Sequence, residues 1–362
     1  MKKITALALA LLMFVTVLSG CASSASPESS ETESKPAETA ESAESTESTE
    51  SADDYKLVLK LSHVFSPDEQ LYKSMEMVAE RIYDKTDGAI EIQCYGQGQL
   101  ATYKDGLEQV ANGANFISVE DPSYLADYVP DFKALVGPML YDTYDEYVQM
   151  LQTDLVKDMI AKAEEKGIKV LDLDYIFGFR NLITNKVITT PDELKGLKLR
   201  VPGSNLFIDT INAMGATATG LPFAETLSGV AQGVVDGLEG SEFTNHGTKC
   251  YEYCKNVAMT KHFLGTCGVY ISTDVWNSIP EKYQKIIAEE YTYGGKEMTQ
   301  LITEAYEQTY EELEGFGVKF NDVDMDAFRA ATKVVFDNME ANDGCTPGIY
   351  DALQAELTKM RG

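Results

Sequence analysis

Downstream of residue 54 the chain alternates between two apolar rhythms, one with period two and one near 3.6. Leu57-Val58-Leu59-Lys60-Leu61 and Ile90-Glu91-Ile92-Gln93 read as strands, the second in strict apolar–polar alternation. Between them Leu71, Met75, Val78, Ala79 and Ile82 recur at three- and four-residue steps and predict a helix over Asp68 to Thr86. A helix over Tyr103 to Ala111 and a strand over Phe116 to Val119 follow. Strand patterns return in Lys169 to Leu173 and Gly196 to Val201, and a helix over Leu206 to Met214 comes next. Strands separated by helical stretches argue for α/β with largely parallel sheets.

The longest period lies between Pro280 and Gly317, where Tyr283, Ile287, Tyr291, Gly294, Met298, Leu301, Ala305 and Tyr306 keep one face. A proline opens it and Gly315-Phe316-Gly317 closes it, as helix punctuation requires. About 35 residues give a helix of ~50 Å, long enough to cross a two-lobed molecule. A weak internal echo also points to two related lobes. Leu107 to Gly113 matches Leu227 to Gly233 in its Leu, Val, Ala and final Gly. Each copy reads as a helix ending at glycine, followed by a strand that ends near Glu120 or Glu239. Equivalent strand ends would then face one cleft, where open α/β sheets bind ligands.

The first 54 residues follow neither rhythm. Lys2 and Lys3 precede an apolar run from Ile4 to Val17, too short to span a bilayer comfortably and placed as an export signal is. It ends in Leu18-Ser19-Gly20-Cys21, which resembles the bacterial lipobox. Residues 1–21 are therefore expected to be a lipoprotein signal peptide, with Cys21 the acylated first mature residue, anchoring the protein on the outer side of the cell membrane. Residues 22–54 hold eight Glu, two Asp and one Lys among Ser, Thr and Ala, a net −9, and cannot bury enough apolar surface to fold. They read as a disordered tether reaching about 30 Å.

Charge narrows the function. Removing the +2 of Lys2 and Lys3 and the −9 of the tether from a net −28 leaves −21 on residues 55–362. Such a body repels nucleic acid and anionic lipid, and makes any anion site conspicuous by the positive charge it must concentrate. The five cysteines after Cys21 (Cys94, Cys250, Cys254, Cys267 and Cys345) are an odd number and form no disulfide framework. Cys250 and Cys254 are expected within a helix, as packed or idle thiols, with no metal ligand at suitable spacing. Arginine is scarce, five against 25 Lys, and two of the five are Arg180 and Arg200. Leu197, Leu199 and Val201 alternate toward a core, which puts Arg200 on the opposite face of that strand. A guanidinium suits a carboxylate held in a closed cleft. The same arginines could instead pair with structural Asp or Glu, and the chemistry alone leaves the two readings open.

Phe177-Gly178-Phe179-Arg180-Asn181 and the run from Pro191 through Leu197-Lys198-Leu199-Arg200-Val201-Pro202 resemble the signature of TRAP (tripartite ATP-independent periplasmic) transporter substrate-binding proteins, the DctP-like family. So do Met214 to Thr217, Leu221 to Glu225, Gln232 to Glu239, Lys85 to Gly88 and Gly98 to Leu100, in order and across nearly the whole mature chain. The resemblance implies two α/β lobes of the periplasmic-binding-protein type, a long helix spanning both and a central ligand cleft. One lobe is expected from residues 55–177 with about 266–305, the other from 178–265 with about 306–362. The family is similar in binding small organic acids and handing them to an ion-gradient-driven membrane permease, as monomers without catalysis or cofactor. Arg200 matches its main carboxylate clamp and Arg180 a second one, while Glu120, Phe223, Glu239 and the neighbourhood of His63 match pocket positions. After Glu239 many relatives carry Asn; here Gly240 stands, which is expected to remove a donor and add room.

Two other classes share features with this pattern. A binding lipoprotein feeding a membrane sensor would carry the same pocket. An extracellular hydrolase finds little support, since no G-x-S-x-G, H-E-x-x-H or phosphate loop occurs and His63, His246 and His262 stand apart.

Overall fold

A computed structural model describes residues 55–362. The expected signal peptide, Cys21 anchor and tether lie outside the described residues. The elements run β1 (Leu57–Ser62), α1 (Gln70–Lys85), β2 (Ile90–Tyr95), α2 (Tyr103–Ala111), β3 (Phe116–Glu120), α3 (Asp131–Leu135), α4 (Tyr144–Met150) and α5 (Asp154–Glu165). There follow β4 (Ile168–Thr184), β5 (Lys198–Val201), α6 (Asn205–Ala213), β6 (Thr217–Gly220), α7 (Thr226–Ala231), β7 (Gly237–Gly240) and α8 (Glu242–Thr248). The chain closes with β8 (Asn256–Ser272), α9 (Thr273–Ser278), α10 (Glu281–Gly315), β9 (Lys319–Asn321), α11 (Met325–Asn342) and α12 (Ile349–Arg361).

The nine strands among the described residues belong to one sheet, ordered β2-β1-β3-β8-β4-β7-β5-β6 with β9 on β8. β1 pairs in parallel with β2 and β3, and β5 in parallel with β6 and β7. The sequence reading of largely parallel sheets thus holds for the outer strands of each lobe, while the sheet as a whole is mixed. The central pairings are antiparallel: β4 runs against β8 along both lobes, β3 against β8 in the first and β7 against β4 in the second. β4 and β8 are each 17 residues long and pass from one lobe into the other. Only Lys169 to Leu173 of β4 had a readable strand pattern. Register shifts follow Val170, Asp172, Ile176 and Arg180, and a strand buried on both faces needs no alternation.

The expected apolar stripe of α1 is its buried face, with Leu71, Met75, Val78 and Ile82 at 0–1 % exposure. It packs under β1, β2 and α10 together with Ile287, Tyr291 and Met298. α10 matches the predicted long helix at both ends and ties to each lobe in turn. Arg81 pairs with Glu290 and Glu297 near its start, and His246 Nε2 lies 2.8 Å from Glu312 near its end. Its seat on β4 depends on two glycines. A Cβ at Gly294 would lie 2.5 Å from Val78 Cγ2, and one at Gly295 only 2.0 Å from Asp174 Oδ1. α12 buries Ile349, Leu353 and Leu357 in the cluster that holds Phe132, Leu135 and Tyr147. The segment grouped by sequence with residues 178–265 therefore also lies on α3 and α4.

The echoed segments are α2–β3 and α7–β7. Their glycines, Gly113 and Gly233, both take positive φ, +83° and +69°. The helix expected around Cys250 and Cys254 is absent, because Lys249 turns left-handed (φ +60°) and ends α8. Cys250 opens a short 3-10 turn, Cys254 follows it in a loop, and both thiols are buried and free. Among the described residues no helix is long and apolar enough to cross a membrane, and no group of three or more His, Cys, Asp or Glu is placed to hold a metal.

Candidate functional site

The ends of β1, β3 and β5 and the middle of β4 and β8 converge on one cavity between the lobes. Its wall takes Val64 and Phe65 from the turn after β1, Tyr103 from the start of α2, and Glu120, Asp121 and Tyr124 from the end of β3 onward. The crossing strands add Phe177, Arg180 and Cys267, and the second lobe adds Arg200, Pro202, Phe207, Phe223 and Thr244. Strand ends meeting across a lobe boundary are where an α/β fold presents side chains to a ligand.

Arg200 occupies the strand face that the Leu197-Leu199-Val201 pattern assigned to it, and it is only 1 % exposed. Its Nε and Nη2 donate to the Leu221 carbonyl at 3.1 and 3.0 Å, and its guanidinium lies 5.5 Å from the centre of the Phe223 ring. Among the described residues no carboxylate forms an ion pair with it, in a chain with almost twice as many acids as bases. Burial lowers its pKa below the usual arginine value, with the nearby Arg180 acting in the same direction.

Arg180 took the other branch of the choice left open by sequence. Its Nε donates to Glu239 Oε2 at 2.6 Å and its Nη2 to Oε1, a two-pronged pair with both side chains buried. Phe177 and Phe207 sit against the guanidinium at 5.7 and 4.9 Å. Burial pushes the Glu239 carboxyl up, yet Arg180 and His262, whose Nε2 is 3.6 Å away, outweigh it and hold the group at about 2. Glu239 therefore stands behind Arg180 rather than in the cavity wall.

His63 is not in the wall either; its neighbours Val64 and Phe65 are. Its ring is fully buried against Tyr72 (5.2 Å, edge-on) and Phe65, neither nitrogen has a hydrogen-bond partner, and burial pushes it down to about 4. The room expected beside Gly240 is also filled. A Cβ there would meet Thr244 Cγ2 at 3.1 Å, and Thr244 itself lines the cavity.

The first lobe supplies what sequence reasoning missed. Tyr103 starts α2 at φ +56°, its N–H donates to Glu120 Oε1 at 2.6 Å, and its phenol oxygen accepts from the Phe223 N–H at 3.1 Å. Asp121 accepts from Ser123 N at 2.8 Å, and the Ser123 and Ser204 hydroxyls are 2.9 Å apart, a second link across the lobes. Burial pushes Glu120 up to about 8 and Asp121 to about 6. Helix starts and Asp-Pro turns are common sequence features, and only the fold brings these to the arginines. The result is an enclosed, aromatic-walled chamber with a guanidinium that has no acid partner among the described residues, suited to holding a small anion.

Residues 61–343 match bacterial extracellular solute-binding protein family 7, DctP. A TRAP periplasmic solute-binding protein from Desulfovibrio salexigens, solved with diglycerolphosphate, is 64 % identical over 85 % of this chain and 98 % of its own, with a TM-score of 0.83. One from Fusobacterium nucleatum, solved with sn-glycerol-3-phosphate, is 43 % identical over 84 % of this chain and 98 % of its own, with a TM-score of 0.82. The C4-dicarboxylate-binding periplasmic protein DctP of Rhodobacter capsulatus is 29 % identical over 66 % of this chain and 73 % of its own. Sequence motifs, two-lobed fold and relatives agree: this chain belongs to bacterial extracellular solute-binding protein family 7 and is a DctP-like substrate-binding protein of the TRAP transporter type.

Proposed function

We propose that the protein captures a small organic acid outside the cytoplasm, clamps its anionic group on Arg200 with Arg180 beside it, and delivers it to a TRAP membrane permease. The observation that carries this reading is the enclosed guanidinium of Arg200, which donates to a backbone carbonyl and has no acid partner among the described residues. Glu120 and Phe223 complete the site, with Glu239 as the support that fixes Arg180. The carboxylate expected from sequence is one member of the class. The relatives at 64 % and 43 % identity were solved with glycerol phosphates, and one from Actinobacillus succinogenes at 31 % with L-galactonate. Those identities favour a phosphate ester of glycerol over a sugar acid here. A phosphate group offers a guanidinium the same two-pronged acceptor geometry as a carboxylate. A lipid anchor at Cys21 would hold the protein near its permease while residues 22–54 leave it free to move.

Titration calorimetry of the protein against sn-glycerol 3-phosphate, diglycerol phosphate, L-galactonate and a C4-dicarboxylate tests the reading. Tight binding of a glycerol phosphate, with the others weaker, is the expected result. Preference for a carboxylate would keep the clamp and change the solute, whereas silence from all four would remove the proposal.

A further inference from the structure

Glu120 is an odd neighbour for an anion. It ends β3 in the wall of the same chamber as Arg200, is 2 % exposed, and among the described residues makes no ion pair. Its Oε1 is fixed by the Tyr103 N–H at 2.6 Å, which leaves Oε2 for whatever fills the chamber. The groups around it supply no counter-charge. α2 brings the Tyr103 phenol, the turn after β3 brings the Asp121 carboxyl and the Tyr124 phenol, and β8 brings the Cys267 thiol. Tyr270 of β8 donates its hydroxyl to the Glu120 backbone carbonyl at 3.3 Å. Of the two arginines, Arg180 is committed to Glu239, and Arg200 is the one left for the solute. Asp121 has Arg180 nearby to offset its charge, but an ionised Glu120 would repel a captured anion in this enclosed space strongly.

We propose that Glu120 meets the solute as a carboxylic acid, donating its O–H to the captured anion or its neighbouring oxygen, so that capture is linked to the protonation of this one side chain. The inference rests on the anion-capture reading above. Burial pushes Glu120 up to about 8, so the acid form predominates in neutral solution before any solute arrives. An anion alongside raises it further, and linkage then requires affinity to fall as the free protein loses that proton. The chamber lets the effect be isolated. Asp121 titrates lower, at about 6, while burial pushes the Tyr103 and Tyr124 phenols and the Cys267 thiol upward, out of the range between pH 7 and 9. A phosphate monoester has its second ionisation at about pH 6 and keeps a constant charge across that range.

The experiment has two arms. Calorimetry with sn-glycerol 3-phosphate from pH 7 to 9 should show wild-type affinity falling about tenfold by pH 9. Glu120→Gln, whose amide can donate but does not titrate, should show a flat profile over the same range. Independently of any ligand, the infrared difference between wild type and Glu120→Gln at pH 7 should contain a protonated-carboxyl stretch that fades by pH 9. A flat wild-type profile, a missing band, or a Glu120→Gln variant as weak at pH 7 as Arg200→Ala would overturn the proposal, the last by showing that an ionised Glu120 accepts from the solute. Should no acid bind at any pH, the capture reading falls and this proposal with it, an outcome recognised by an infrared band still in place.

Discussion

Tyr103 and Phe223 meet across the lobes: the Phe223 N–H donates to the Tyr103 phenol oxygen at 3.1 Å, directly beside the cavity. Tyr103 also fixes Glu120 through its backbone and lies close enough to Arg200 to shift its titration. One residue of the first lobe thus touches the anchor, the acid and the edge of the second lobe.

Tyr103→Phe should therefore weaken the contact between the lobes without disturbing either lobe. Losing one such hydrogen bond costs about 0.5–1.5 kcal/mol, or roughly two- to tenfold in affinity. The change should appear as faster solute release in stopped-flow traces, with an unchanged melting temperature in the absence of solute.

Arg200→Ala should lower solute affinity by about 2–5 kcal/mol, the range for truncating one partner of a desolvated, hydrogen-bonded charge pair. Arg200→Lys should also bind poorly, since an ammonium cannot present two parallel donors. Because the guanidinium is enclosed and satisfies the Leu221 carbonyl, Arg200→Ala should also cost some stability, about 1–3 kcal/mol for the unpaired acceptor. Calorimetry and denaturant melts on both variants separate the two losses.

Glu239 behaves as a structural acid. Held at about 2 in the folded state and near 4.3 when unfolded, it stabilises the fold above the unfolded value and loses that contribution as pH falls toward 2. Glu239→Gln leaves Arg180 buried without its counter-charge and should destabilise by about 3–5 kcal/mol at neutral pH. A melt at pH 7 indistinguishable from wild type would contradict this.

Glu69 and Glu242 carry the opposite sign. Burial pushes each up to about 7, so the folded state holds protons that the unfolded state releases near 4.3, and stability falls as pH rises between those values. Glu242 Oε1 accepts from Asn181 Nδ2 at 2.6 Å, a contact that a glutamine oxygen also makes. Glu242→Gln should raise the melting temperature at pH 8 and leave it nearly unchanged at pH 5, which scanning calorimetry at both values would show.

The most legible parts of this protein were those whose physics is local. The α1 stripe, the span of α10 and the face of Arg200 follow from spacing alone, and the structure keeps all three. Arg180 was different, because whether it clamps a ligand or an internal acid depends on where Glu239 lands, 59 residues away in the chain. β8 gave no signal, since a doubly buried strand with Gly265 and Gly268 lacks alternation. Thr244 was hidden for another reason: it stands beside Gly240 only because α8 starts at Glu242, directly after β7.

The crossing of β4 and β8 from one lobe into the other bears on how such a protein is inherited and engineered. Each lobe's sheet includes part of both strands, so neither lobe is a module that could be cut out at a single linker. A cut through the crossing would halve both strands, since their pairing runs without a linker from Ile168 with Ser272 to Thr184 with Asn256. Exchange of whole lobes between relatives is closed off by this wiring, whereas exchange of the short turns at the strand ends is not. New solute preferences should therefore arise one cavity-wall residue at a time, at positions such as Thr244 and Phe223, on a frame that has to be kept entire.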